Sequence, residues 1–203
     1  MSNIFQNINE IPVRTWRWTR VNDASLNAEI PARIGEFEPV IVAGGLDINI
    51  KTTLFSDKAD EKIPAEINKF INENANVSLL VKAKADTAYD KPEKIVFMLN
   101  DEQSVLVDKT VIYAEKNSKA EILLDYKSDS EKAGFRAGIV HIYAEKGADI
   151  SVRLIQNLSL KDSNLCFVTA AIEEDAKVSV SLVETGSAQT IGNFNAHLNG
   201  ERA

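Results

Sequence analysis

The sequence predicts a mainly β protein: a parallel β-helix, or solenoid, over residues 77–203, preceded by a small irregular and helical N-terminal region over residues 1–76. Two observations lead there. From about residue 77 the chain becomes a series of short alternating runs, among them VSLLVKAKA, KIVFMLN, AEILLDY, ADISVRLIQN and AKVSVSLVE, divided by Gly, Asn, Asp, Ser and Lys. The runs also repeat. YAEK occurs at 113–116 and again at 143–146, and Ala120, Ala148 and Ala176 fall at an equal spacing of 28 residues. Behind them come Ile122/Ile150/Val178, Leu124/Val152/Val180 and Tyr126/Leu154/Leu182. Upstream, Val140, Ile142 and Ala144 match Val168, Ala170 and Ile172, and the first copy is expected to carry two extra residues in its turn. Internal periodicity of this length is a signature of stacked units. In a parallel β-helix each coil lies about 4.8 Å above the last, so like side chains form columns. A sandwich would alternate without that register, and leucine-rich repeats need an L-x-x-L-x-L signature that is missing.

Taken in order, residues 1–35 hold Trp16 and Trp18 among Arg14, Arg17, Arg20 and Arg33, with Pro12 and Pro31, and no sustained period. This reads as an irregular or extended segment. EPVIVAGGLDINI (38–50) is strand-like, interrupted at Gly44-Gly45. A short helix is expected near 64–74, where Ile63, Ile67, Phe70 and Ile71 share one face and Pro64 suits the first turn. Beyond it the period changes from helical to alternating. There Ala148, Ile150, Val152 and Leu154 point one way and Asp149, Ser151 and Arg153 the other, which makes the even-numbered set the core.

Composition bounds the function. With 203 residues, 44% hydrophobic and 26% charged, the chain can bury one sizeable core. A formal net charge of −7 argues against general nucleic-acid binding, which needs a surplus of cations on one face. The start lacks a signal-peptide pattern, and no run approaches the roughly 20 apolar residues of a membrane span. A cytoplasmic location is expected, without membrane or nucleic-acid partners. The one cysteine, Cys166, cannot form an internal disulfide.

The candidate chemical residues read mostly as structure, and no catalytic, cofactor or metal residue is assigned. Cys166 falls in the inward set beside Val168 and Ala170, with Gly138 and Phe194 as its expected column neighbours. It reads as a small buried side chain, since no cation that would activate a thiolate is visible nearby. His141 and His197 fall in the outward set with Thr169 between them, as surface histidines about 10 Å apart. That is too far to share a metal whose Zn–N bonds are about 2 Å. Gly44-Gly45 is a turn, because neither phosphate-loop pattern is present. Glu173-Glu174-Asp175 and Asp129 with Glu131 read as solvated turn charges. The RTWRWTR stretch (14–20) is expected to anchor the N-terminal segment through its rings and cation–π contacts.

Particular residues also resemble a known family. IPVRTWRWTRVN (11–22), KAGFRAGIVHIYAEKGADISVRLIQNLS (132–159), VETGSAQT (183–190) and HLNGERA (197–203) are similar to motifs of the SufB/SufD family of iron–sulfur cluster assembly proteins, on its SufD-like side. The resemblance implies a right-handed parallel β-helix between helical end regions. It also implies a non-catalytic scaffold subunit that partners a SufB-like sibling and a SufC-like ABC ATPase. No cofactor is expected on the isolated chain, and an iron–sulfur cluster only in the full complex. Because Ala203, 27 residues beyond Ala176, occupies the after-turn position that Ala120, Ala148 and Ala176 hold in earlier coils, so that the fourth coil stops where its inward strand should begin, the chain reads as the N-terminal half of a longer protein or a short form completed by a partner. The family's cluster-related residues have no counterpart here. The alternatives are a carbohydrate-active β-helix enzyme, for which the outward Asp149, Ser151, Arg153, Lys177, Ser179 and Ser181 show no convergence, and a structural solenoid that self-associates through its open end.

Overall fold

The computed structural model describes residues 2–8, 24–30, 34–42, 44–50 and 63–203. In chain order the elements are β1 (Ser2–Ile8), β2 (Ala24–Glu29), β3 (Val40–Val42), β4 (Asp47–Ile50), α1 (Ala65–Asn74), β5 (Val77–Ala83), β6 (Glu93–Asn100) and β7 (Val105–Ala114). They continue with β8 (Lys119–Asp129), β9 (Phe135–Ala144), β10 (Asp149–Asn157), β11 (Ser163–Ile172), β12 (Lys177–Glu184) and β13 (Gln189–Leu198). Alternate strands build two sheets, one ordered β12-β10-β8-β6-β3 and the other β13-β11-β9-β7-β5-β4. From β5 onward every pairing is parallel, while β3 and β4 add to β6 and β5 in antiparallel sense. The chain therefore winds as the expected parallel β-solenoid. The helix expected near 64–74 is α1, with Pro64 as its cap and Ile67 and Ile71 buried. The RTWRWTR anchor lies outside the described residues.

Parity sorts the side chains as the sequence implied. Ile122, Leu124, Ile142, Ala144, Ile150, Val152, Val168 and Ala170 fill the core between the sheets. Val107, Phe135, Ala137, Ile139, Leu165 and Phe167 form a second core on the outer face, under α1 and the β1–β2 hairpin. Phe5, Phe70 and Phe135 pack there with ring centroids 5.3 to 6.3 Å apart.

The register corrects the sequence reading. The 28-residue offset holds between β10 and β12, where Ile150 pairs Val178, and between β9 and β11, where Val140 pairs Val168. Between β8 and β10 the offset is 30: Ala120 pairs Ile150, not Ala148. The two extra residues lie in the corner after β8 and not in the YAEK turn, since Tyr113 pairs Tyr143 and Lys119 pairs Asp149 without a break. Between β11 and β13 the offset falls to 26, so Cys166 pairs Gly192 and not Phe194. A slip of two keeps every side chain on its own face, so hydrophobic alternation could not detect it.

Backbone geometry marks the turns better than side-chain type does. Asp86, Asn117, Gly147, Asp175 and Arg202 occupy one turn position in successive coils, all with φ between 54° and 73°. Asp and Asn tolerate this left-handed region. At Gly147 there is also no room, because a Cβ would lie 2.4 Å from Asn117 Oδ1. On the opposite corner the buried Asp162 carboxylate accepts from Gly134 N at 2.6 Å, Ser159 N at 2.9 Å and the Ser128 hydroxyl, which ties the longer loop to the next coil.

Beside the turns Tyr113 donates to Glu145 Oε1 at 2.5 Å, and this bond, with burial, pushes its pKa up to about 12. A raised folded-state pKa gives stability that is whole below the unfolded value near 10 and lost as pH rises toward 12. Tyr113→Phe should therefore lose less stability between pH 10 and 12 than the unaltered chain, as read by urea titration. Equal losses would contradict the bond.

Candidate functional site

Inside the solenoid the inward columns are not uniformly apolar. Asp108 on β7, Tyr126 on β8, Arg136 on β9 and Asn164 and Cys166 on β11 all face the interior and are buried. Arg136 Nε donates to Asp108 Oδ1 at 2.9 Å and Nη2 to Oδ2 at 3.2 Å, while Nη1 donates to Asn164 Oδ1 at 3.2 Å. Tyr126 adds its hydroxyl to Asp108 Oδ2 at 3.3 Å. The guanidinium lies 3.6 Å from the Tyr126 ring centroid, and the Tyr126 ring stacks on Phe97 at 4.6 Å.

Glycine makes the site possible. Gly138 pairs Asp108 across the coils, and a Cβ there would lie 2.4 Å from both Arg136 Nη2 and Asp108 Oδ1. The absent side chain is where the ion pair sits. Taking two charges out of water is costly, and it is tolerated only when the partners and their remaining hydrogen bonds are in place.

The chemistry follows from burial. The Cys166 thiol is pushed up by burial, an effect the neighbouring Arg136 only partly offsets. Burial also holds the Tyr126 phenol well above its ordinary range. For Arg136 burial opposes the charge most strongly, but Asp108 together with Tyr126 and Cys166 outweighs it and holds the pKa well above the usual value. The cluster thus sets the Arg136–Asp108 ion pair beside a thiol and a phenol that burial keeps protonated. Native Cys166 should accordingly resist alkylation by iodoacetamide and react fully once urea unfolds the chain, as read by intact mass. Stoichiometric alkylation of the folded protein at pH 7 would overturn that.

The structure places the other candidates as follows. Cys166 is in the core as expected, but the expectation that no cation lies near it is corrected by Arg136, which comes from the coil before. His141 is also corrected: it is 1% exposed, with Nδ1 2.6 Å from Thr169 Oγ1. His197 pairs Ala171, so Thr169 does not lie between the two histidines. Gly44-Gly45 is a turn, with φ of 106° at Gly45, and the Gly44 and Leu46 amides already donate to the Glu93 carboxylate.

The turn acids are engaged between coils. Glu173 accepts from Asn199 at 3.0 Å, Glu174 pairs Lys146 at 2.7 Å, and Asp175 pairs Arg202 at 2.5 Å. Glu131 pairs Lys161 at 3.1 Å, and Asp129 is exposed. Of the outward residues, Asp149 pairs Lys119 and Arg153 pairs Glu121. Among the described residues no three His, Cys, Asp or Glu side chains are grouped to hold a metal ion. The signal for the interior cluster was in the sequence, since Asp108 and Arg136 occupy even-numbered, inward positions that should have been apolar.

Fold and interior together define a parallel β-solenoid with an internal, self-paired polar cluster. Residues 97–203 match the family model described as "SUF system FeS cluster assembly, SufBD core domain", more than half of the chain, and the protein belongs to that family. This gives it a role in SUF iron–sulfur cluster assembly. No curated protein and no solved structure matched the chain significantly. Among the described residues no helix is long and apolar enough to cross a membrane.

Proposed function

We propose that this chain is a SufD-like, non-catalytic scaffold subunit of a cytoplasmic SUF complex, which partners a SufB-like sibling and a SufC-like ABC ATPase. The observation behind this reading is the family match over residues 97–203. The SufD-like side rests on the N-terminal stretch IPVRTWRWTRVN (11–22), and the ATPase role falls to a partner because the sequence contains no Walker motif. The charge distribution supports it. The turn acids Glu173, Glu174 and Asp175 and the outward Asp149 and Arg153 are engaged in pairs that join one coil to the next, an arrangement suited to rigidity. Iron and sulfide are then cargo of the complex, with no resident cofactor on this subunit.

The test is anaerobic affinity purification of the tagged chain from its own cells, followed by mass spectrometry. A SufB-like protein and a SufC-like ATPase should co-purify in near-equal amounts. Recovery of the chain alone, at salt low enough to preserve polar interfaces, would count against the reading.

A further inference from the structure

The two sheets of the solenoid turn different faces outward. The outer face of β7, β9 and β11 is covered: Ile67, Phe70 and Ile71 of α1 pack in one cluster with Val107, Ile139 and Phe167. The lysine set in that face, Lys109, donates to Asn72 Oδ1 of the helix at 3.0 Å. The outer face of β3, β6, β8 and β10 is also apolar in part, yet it stands open. Val40, Val42 and Met98 are 58%, 54% and 36% exposed there, and Val96, Leu123 and Ile155 are half-buried. Strand register makes the patch continuous. Val40 lies opposite Val96, Val96 opposite Asp125, and Asp125 opposite Ile155, while Val42 and Leu123 flank Lys94. Exposed apolar side chains scattered singly are ordinary, whereas a contiguous set rimmed by polar groups marks a contact surface.

The charge at the centre of the patch is unbalanced. Lys94 and Lys127 both reach Asp125 Oδ2 at 3.0 Å, so two ammonium groups share one oxygen of one carboxylate. Asp125 is buried, but the two lysine side chains remain 36% and 40% exposed. Each ammonium carries three donors, so both have one to give to a second carboxylate arriving from outside. The complement of this surface is an apolar stripe that carries one acid. The covered face shows the form such a complement takes on this fold: an amphipathic helix whose polar side chain meets the lysine beneath it. Among the described residues the one helix, α1, is already seated on the other sheet, so the second helix comes from another polypeptide.

The geometry points to the outer face of β3, β6, β8 and β10 as a docking surface for an amphipathic helix of a partner protein. Its apolar stripe covers Val40, Val42, Val96 and Met98, and its Asp or Glu side chain accepts from Lys94 and Lys127. This is the helix-on-apolar-surface mode of recognition with a charged anchor. It rests on this face alone and not on the scaffold reading.

The test places the photo-crosslinker benzoylphenylalanine at Met98 of the full chain in its own cells, and the joined peptide is sequenced after irradiation. A synthetic copy of that peptide is then titrated by fluorescence anisotropy against the unaltered chain and two variants. Lys94→Gln/Asp125→Asn/Lys127→Gln removes the charges together, and Val40→Ser/Met98→Gln removes apolar side chains that are already exposed, which keeps the test open if the first variant unfolds. The peptide should be amphipathic, become helical on binding and carry an Asp or Glu within its apolar stripe. Each variant should weaken binding at least tenfold. Changing the peptide's carboxylate to the amide should cost the unaltered chain tenfold and the charge-neutral variant less than threefold. The inference is overturned if irradiation joins nothing, or joins only a second copy of this chain. It is overturned equally if the peptide lacks a carboxylate or stays unstructured when bound, if either folded variant binds undiminished, or if the amide peptide binds the unaltered chain as well as the acid does.

Discussion

Arg136→Met will cost about 3–5 kcal/mol of folding stability, read as a fall in the urea midpoint, because it strands the Asp108 carboxylate in the core. Asp108 is 0% exposed, and without Arg136 its remaining side-chain partner is Tyr126 at 3.3 Å. The methionine also forfeits the stack on Tyr126. Pairing the change with Asp108→Leu removes the lone charge, and the double variant should recover at least half of the loss, since an apolar pair of similar volume often replaces a buried ion pair with little penalty. If Arg136→Met alone costs under about 1 kcal/mol, the ion pair does not hold the interior as described.

Ile150→Asp carries an effect at least as large. Ile150 is 0% exposed, between Ala120 and Val178 in the inward column. An unpaired charge there should cost more than about 4 kcal/mol and abolish the cooperative transition. Ser151→Asp, one residue along on the outward face, should cost under about 1 kcal/mol even with Glu121 opposite it. The same peptide segment thus tests both directions of the strand. Similar losses from the two changes would refute the assignment of faces.

The strands, their parity and their stacking were legible in the sequence because alternation has a period of two and each coil repeats it. The register was legible only in part. The repeat aligns Ala120 with Ala148, yet Ala120 lies opposite Ile150, because two residues inserted at a corner leave every strand on its own face. Alternation alone makes His141 a surface residue, because it treats one side of each strand as facing water. That face of the sheet carries a second core under α1 and β1–β2. Alternation places Cys166 inside, yet its cationic neighbour comes from the preceding coil, 30 positions away in sequence, and only the three-dimensional register brings the two together. Gly138 and Gly192 flanking Cys166 are the residues a sequence would pass over, and Gly138 is what lets the ion pair fit.

The scaffold role proposed above has this chain supporting iron–sulfur cluster assembly without performing chemistry of its own. The most direct measurement is cluster delivery to an apo-acceptor protein, followed anaerobically by visible absorption, for the chain alone, the SUF complex complete, and the complex lacking the chain. A scaffold role predicts no delivery by the chain alone, ATP-dependent delivery by the complete complex, and a severe loss when the chain is omitted. Repeated cluster formation by the isolated chain, or undiminished delivery without it, would rule out a scaffold role.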